Sequence, residues 1–181
     1  MSVQGIAIIS HGLQSSPDSG KATALAAAGE ALGWRCLRPD YQDIDGSPAH
    51  APYGDVVARV ARLEALAREQ QSEFPGAPLV LAGSSMGAFV SARVSLALAV
   101  RGLFLMAPPT SMRGVAVPLD AAPVPTWILH GWHDELIPAD EVVRWAQARG
   151  DRLLLVDDAH RLANHVDAAA QEFGRFLQAL G

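Results

Sequence analysis

Short apolar runs alternate with helical stretches along the whole chain, and that alternation constrains the fold more than any other feature. It is the pattern of a parallel sheet covered on both faces. Strands are expected near Ile6–Ser10, Arg35–Arg38, Leu79–Gly83, Gly102–Ala107, Thr126–His130 and Arg152–Val156. In the first, Ile6 to Ile9 run continuously apolar, as a strand buried on both faces should. Between the strands, Ser16-Pro17 reads as a helix cap with proline at the first helical position, and Gly33 as the stop. From Tyr53 to about Glu73, Val56, Val60, Leu63 and Ala67 recur at helical spacing, with Arg59, Arg62 and Glu69 elsewhere on the wheel. Pro138, Asp140 and Glu141 begin another helix, its acidic residues at the positive end of the dipole. Leu162, Val166, Ala169, Phe173, Phe176 and Leu180 form the stripe of a last helix that includes His165. No repeat or linker interrupts residues 1–181, so the expectation is one α/β domain, a three-layer sandwich with about six parallel strands.

Composition removes several function classes. The net charge is −5 and Lys21 is the only lysine, with the arginines scattered, so nucleic acid is not an expected partner. The longest apolar region, Met86 to Ala107, is broken by Arg93 and Arg101, which argues against a membrane span. The first residues lack the basic leader and apolar stretch of a signal peptide. Cys36 has no partner for an internal disulfide, and the expected location is the cytoplasm. Its neighbours Trp34 and Leu37 place it in a buried strand, as core rather than catalyst.

Gly83-Ser84-Ser85-Met86-Gly87 directly follows the apolar run Pro78–Ala82 and opens an apolar helix. A serine hydroxyl is a weak nucleophile and must be presented outward by a sharp strand-to-helix turn, whose crowding demands small neighbours. The G-x-S-x-G pattern is not specific by itself; its setting is what makes Ser85 the candidate nucleophile. Ser84, pointing the other way, reads as structural.

A nucleophilic serine needs a base, and in this strand-turn-helix arrangement the chain order is serine, acid, histidine. His130 ends a strand, His133 adjoins the acid candidate and His165 falls in the last helix. His160 lies in the loop after Leu153–Val156, at the carboxyl end of a strand where catalysts gather in open α/β sheets. Asp134, just past Trp127–His130, is the candidate to orient it; Glu135 competes, while Asp157 and Asp158 lie too close in sequence to His160. The oxyanion formed on attack needs two N–H donors, expected from Met86 and from Leu13 in the Ser10–Leu13 loop, with His11 holding that loop. Leu13, Met86, Met106, Trp132 and Ile137 are the candidate lining of an apolar substrate pocket.

Four segments together carry a family resemblance. His11-Gly12-Leu13-Gln14-Ser15-Ser16-Pro17, the Gly83–Gly87 elbow and His130–Pro138, followed by Asp158–Leu162, resemble the small lidless bacterial α/β-hydrolases of serine-esterase type. The resemblance spans nearly the whole chain. It implies acyl transfer through Ser85, His160 and Asp134 on a small-molecule ester, with acyl thioesterase and a binding protein with little turnover as the rivals. The chain departs from larger relatives in having no room for leading antiparallel strands. Only residues 108–125 stand where a cap domain would sit. No metal is expected, because Asp134 beside His130 and His133 is better explained as the orienting acid. No glycine fingerprint follows the first strand, so no cofactor is implied.

Overall fold

The structure, a computed structural model, describes residues 3–181. Six strands form the sheet: β1 (Ile6–Ser10), β2 (Arg35–Leu37), β3 (Leu79–Ser84), β4 (Gly102–Met106), β5 (Thr126–Gly131) and β6 (Arg152–Val156). Each begins and ends within one residue of the expectation. All neighbours pair in parallel in the order β2-β1-β3-β4-β5-β6. The chain therefore steps outward one way from β1 to β2, then returns to β3 and proceeds the other way. The reversal between β1 and β3 opens a crevice beyond their carboxyl ends, the position at which open α/β sheets bind ligands.

Side chains alternate across the sheet with the strand period of two. Ile6, Ile8, Leu79, Leu81, Leu103, Leu105 and Ile128 face α3 (Val56–Glu73), α4 (Met86–Ser95) and α5 (Ala139–Arg149). Ala7, Ile9, Val80, Ala82, Phe104, Met106 and Leu129 face α1 (Gly20–Ala31) and α6 (Val166–Leu180). Phe104 meets Phe173 edge-on at 5.2 Å between ring centres and is 1 % exposed. Cutting it to alanine would cost about 3–5 kcal/mol through lost transfer energy and an unfilled cavity. A four-residue helix, α2 (Gln42–Asp45), lies in the long connection between β2 and α3.

Four local expectations need correction. Helix α1 starts at Gly20, not at Ser16-Pro17. Residues 16–19 form a turn in which the Ser19 N–H bonds the Ser16 carbonyl, and Ser19 Oγ then caps Ala22. Gly33 does end the helix, in the left-handed conformation (φ 79°) that suits glycine just past a cap. Helix α3 starts at Val56, because Asp55 accepts from the Ala58 N–H at 3.0 Å and leaves Tyr53 in the preceding turn. Helix α6 starts at Val166, with His165 just before it rather than inside it. Asp158 accepts from the Asn164 N–H (2.9 Å) and from His165 Nδ1 (2.9 Å), holding residues 159–165 out of the helix. Arg59, expected on the polar face of its helix, is completely buried on the same stripe as Val56, Leu63 and Ala67.

Candidate active site

Ser85 stands at the junction of β3 and α4 with φ 53° and ψ −122°. A non-glycine residue so placed carries roughly 1–3 kcal/mol of backbone strain, which the surroundings must hold in place. They do so by close packing: a Cβ on Gly83 would strike the Gly87 backbone, and one on Gly87 would strike the Ser10 carbonyl. The Ser85 N–H is tied to the Met106 carbonyl at 2.9 Å, and the Ser85 carbonyl receives the Ala88 N–H at 2.8 Å. The elbow is thus clamped between β1 and β4, and its hydroxyl faces the crevice.

His160 Nε2 lies 3.0 Å from Ser85 Oγ, and its Nδ1 lies 2.8 Å from Asp134 Oδ2. Residues separated by 75 and 26 positions along the chain are thereby brought into one hydrogen-bonded line. With Nδ1–H donating to the carboxylate, Nε2 is free to accept the serine proton. Asp134 Oδ1 also accepts the N–H groups of Leu136 (2.9 Å) and Ile137 (2.8 Å). Burial works against its charge, but the His160 bond and these two N–H donors outweigh burial and hold its carboxyl below the usual range. His130, fully buried nearby, donates from Nε2 to the Ile137 carbonyl at 3.1 Å. Burial keeps its pKa down, so it adds no positive charge beside the acid at neutral pH.

The competing acids occupy other positions. Glu135 accepts the backbone N–H of His160 at 3.1 Å rather than the ring, and Asp157 pairs with His133 at the surface. Asp158 orders the turn that follows, and Lys21 reaches across from α1 to the Arg161 carbonyl at 2.5 Å. His160 therefore sits in a loop pinned on three sides.

On the opposite side of Ser85 runs the loop after β1. Gly12 is so near the elbow that a Cβ there would lie 3.2 Å from the Ser84 carbonyl and 3.5 Å from Ser85 Cβ. Met86 opens α4, where the helix leaves the first N–H groups without an internal partner. Leu13 follows Gly12, and the side chains of Leu13 and Met86 both approach Gly54. A cavity of about 590 Å³ lies between Leu13–Ser16 and the segment holding Gln42, Asp45, Gly46, Ala51 and Pro52. Of the expected pocket residues, only Leu13 borders this cavity. Met106 (1 % exposed) and Ile137 (7 %) are buried in the two core layers, and Trp132 stands exposed on the acid loop. The turn-rich composition of residues 42–52 carries no periodic signal, so their place at the cavity is not visible in the sequence. Arg59 does leave a clue there, as a charged residue on an apolar helical stripe.

Among the described residues no group of three or more histidine, cysteine, aspartate or glutamate side chains has the arrangement of a metal site, and no helix is long and apolar enough to cross a membrane. Cys36 is partly buried at the sheet edge, where burial pushes its thiol up to about 12 and keeps it from acting as a thiolate.

Residues 8–180 match the model of the alpha/beta hydrolase family. A comparison with curated proteins gives no match. A crystal structure from Xanthomonas campestris pv. campestris, assigned to the alpha/beta hydrolase superfamily, is 49 % identical over 98 % of this chain and 99 % of that one, with a TM-score of 0.92. An alpha-beta serine hydrolase homologue from Coxiella burnetii is 24 % identical over 98 % and 86 %, with a TM-score of 0.79. A serine hydrolase without a lid from Xanthomonas campestris is 22 % identical over 95 % and 84 %, with a TM-score of 0.73. The latter two likenesses concern the fold; the family match and the first structure carry the assignment. On that match, and on a six-stranded parallel sheet with no separate cap domain, the chain belongs to the alpha/beta hydrolase family.

Proposed function

We propose that residues 1–181 form a single serine-hydrolase domain that cleaves small ester-type substrates through an acyl-enzyme intermediate. The observation that carries this reading is the line Ser85 Oγ–His160 Nε2 and His160 Nδ1–Asp134 Oδ2, at 3.0 and 2.8 Å. Ser85 attacks the ester carbonyl while His160 takes its proton, and Asp134 stabilises the imidazolium and fixes its tautomer. The Met86 and Leu13 N–H groups receive the oxyanion. His160 then protonates the departing alcohol, activates water against the acyl-serine and returns its proton to Ser85. No residue in this scheme calls for a metal or cofactor.

The uncapped crevice and the 590 Å³ cavity beside Leu13 favour a short or compact substrate over a long acyl chain, which makes carboxylesterase the first reading. Trp132, 57 % exposed, is proposed as the rim of the crevice on the acid side, whereas Met106 and Ile137 are buried in the core and line no part of the 590 Å³ cavity. Thioesterase action on a coenzyme A ester is less favoured, because the only lysine is committed to the Arg161 carbonyl. The partner is a small-molecule ester rather than nucleic acid, in keeping with the net charge of −5. A single, weakly acidic cysteine suits a reducing compartment such as the cytoplasm.

The test is turnover of p-nitrophenyl esters from acetate to octanoate. The reading predicts hydrolysis that is highest for the shortest chains. Failure of the folded protein to cleave any of them, with its intact hydrogen-bonded line, would favour a binding protein on the same fold.

A further inference from the structure

Among the described residues Arg59 is one of the largest fully buried side chains, and it takes no part in the catalytic scheme. A guanidinium cannot shed its charge, so its burial must be matched by partners. Its Nε donates to Asp45 Oδ1 at 2.9 Å and its Nη2 contacts Asp45 Oδ2, a two-pronged pair. The remaining donors go to backbone: Nη1 to the His11 carbonyl at 2.7 Å and Nη2 to the Gly12 carbonyl at 3.2 Å. The group also lies 4.6 Å from the centre of the Tyr41 ring.

The two carbonyls belong to the loop that carries the proposed oxyanion donor. His11 reinforces the hold. Its Nε2 accepts the Tyr41 N–H at 3.1 Å, so the proton sits on Nδ1 and goes to the Gly12 carbonyl at 2.8 Å. Burial, with the neighbouring Arg59 charge, keeps the His11 pKa low and this neutral form in place. Tyr41 is fixed in turn by a 2.9 Å bond between its hydroxyl and Ser10 Oγ. The Gly12 carbonyl thus receives two donors from the protein interior.

A trans peptide is planar, with its C=O and N–H directed oppositely. Drawing the Gly12 carbonyl inward onto Arg59 and His11 sends the Leu13 N–H, on the same peptide, outward to the crevice. We propose that Arg59, braced by Asp45, is the positioning residue that aims the Leu13 N–H of the oxyanion hole. This inference rests on the serine-hydrolase reading. It adds that one face of the site is set by a fully buried cation on α3 that does not itself line the cavity. Asp45 also borders the 590 Å³ cavity, so the same ion pair joins the oxyanion loop to the wall beside it.

The test compares wild type with Arg59→Met, Arg59→Lys and the double variant Asp45→Asn/Arg59→Met. The double variant removes the buried carboxylate that the single change would strand, which guards against misfolding. Folding is checked by near-ultraviolet circular dichroism and thermal midpoint. Complete loss of an oxyanion donor costs about 10²–10³ in kcat, and a misaimed donor should cost less. The expectation is a fall of about 10–100-fold in kcat for p-nitrophenyl acetate, with KM within about twofold. Affinity for a trifluoromethyl ketone, which forms the oxyanion on Ser85, should fall in parallel, and Arg59→Lys should recover part of both. A folded Met or double variant with wild-type kcat, or one whose kcat falls while ketone affinity holds, overturns the proposal. Wild-type protein that neither hydrolyses the ester nor binds the ketone overturns the serine-hydrolase reading itself, and this inference with it.

Discussion

The two walls of the crevice are built from opposite chemistry. On the β1 side, donors from the interior hold backbone carbonyls: Arg59 holds those of His11 and Gly12, and His11 adds a second donor to Gly12. On the histidine side, carboxylates hold backbone N–H groups. Asp134 takes those of Leu136 and Ile137, Glu135 that of His160 and Asp158 that of Asn164, with Lys21 on the Arg161 carbonyl and His130 on the Ile137 carbonyl as the exceptions. The difference follows from what each wall would supply. A wall meant to offer N–H groups to an oxyanion must anchor its carbonyls. A wall meant to support an imidazolium needs negative charge, and the same carboxylates that supply it can order the loop.

The largest expected effect lies between the walls. Ser85→Ala should fold normally and lose about four decades or more of kcat, since a triad acts as a unit. Steady-state turnover and a melting curve check both halves of that statement. Next, Asp134→Asn should lose about three to four decades by favouring the wrong imidazole tautomer. Glu135→Gln, one residue away, should change kcat by about twofold at most, because only the surface-exposed backbone bond to His160 is weakened. Equal losses in the two variants would erase the distinction between the orienting acid and its neighbour.

Asp158→Ala probes the histidine wall as scaffold. It strands the Asn164 N–H and releases His165, so stability should fall by about 2 kcal/mol, read as roughly 4–8 °C in thermal midpoint. The smallest effect is in pH. His11 and His130 both have pKa values lowered by burial, so the unfolded chain binds more protons than the folded one as pH drops below about 6.5. These two groups therefore leave stability unchanged above about 6.5 and erode it from there downward. Denaturant midpoints at pH 7 and pH 5 test this, and a midpoint that rises toward pH 5 would contradict it.

The strands were legible in the sequence because burial on both faces leaves unbroken apolar runs, as in Ile6–Ile9 and Leu79–Ala82. The candidate serine, acid and histidine were legible because each follows such a run at the end of the sheet where the chain turns back. Helix starts were less so. Ser16-Pro17 has the composition of a cap, yet the cap is Ser19, and the difference is a turn that local composition does not reveal. Arg59 was hidden for a different reason. Its place on the stripe of Val56, Leu63 and Ala67 marks it as inward, yet burial of a charge is credible only once Asp45 and the His11–Gly12 carbonyls are seen around it. The cavity wall at residues 42–52 belongs to the same class. It depends on contacts between distant segments, such as Asp45 paired with Arg59 of α3, that no period encodes.

The mechanism turns on Ser85 being an activated nucleophile between these two walls. The most direct measurement is reaction of the folded protein with a fluorophosphonate probe, followed by mass spectrometry of the modified peptide. Such a probe reacts with a serine only where base and oxyanion hole are assembled together. The expected result is a single adduct on Ser85, abolished in Asp134→Asn and slowed in Arg59→Met. Folded protein that gains no adduct, or carries it on another serine, would contradict the claim.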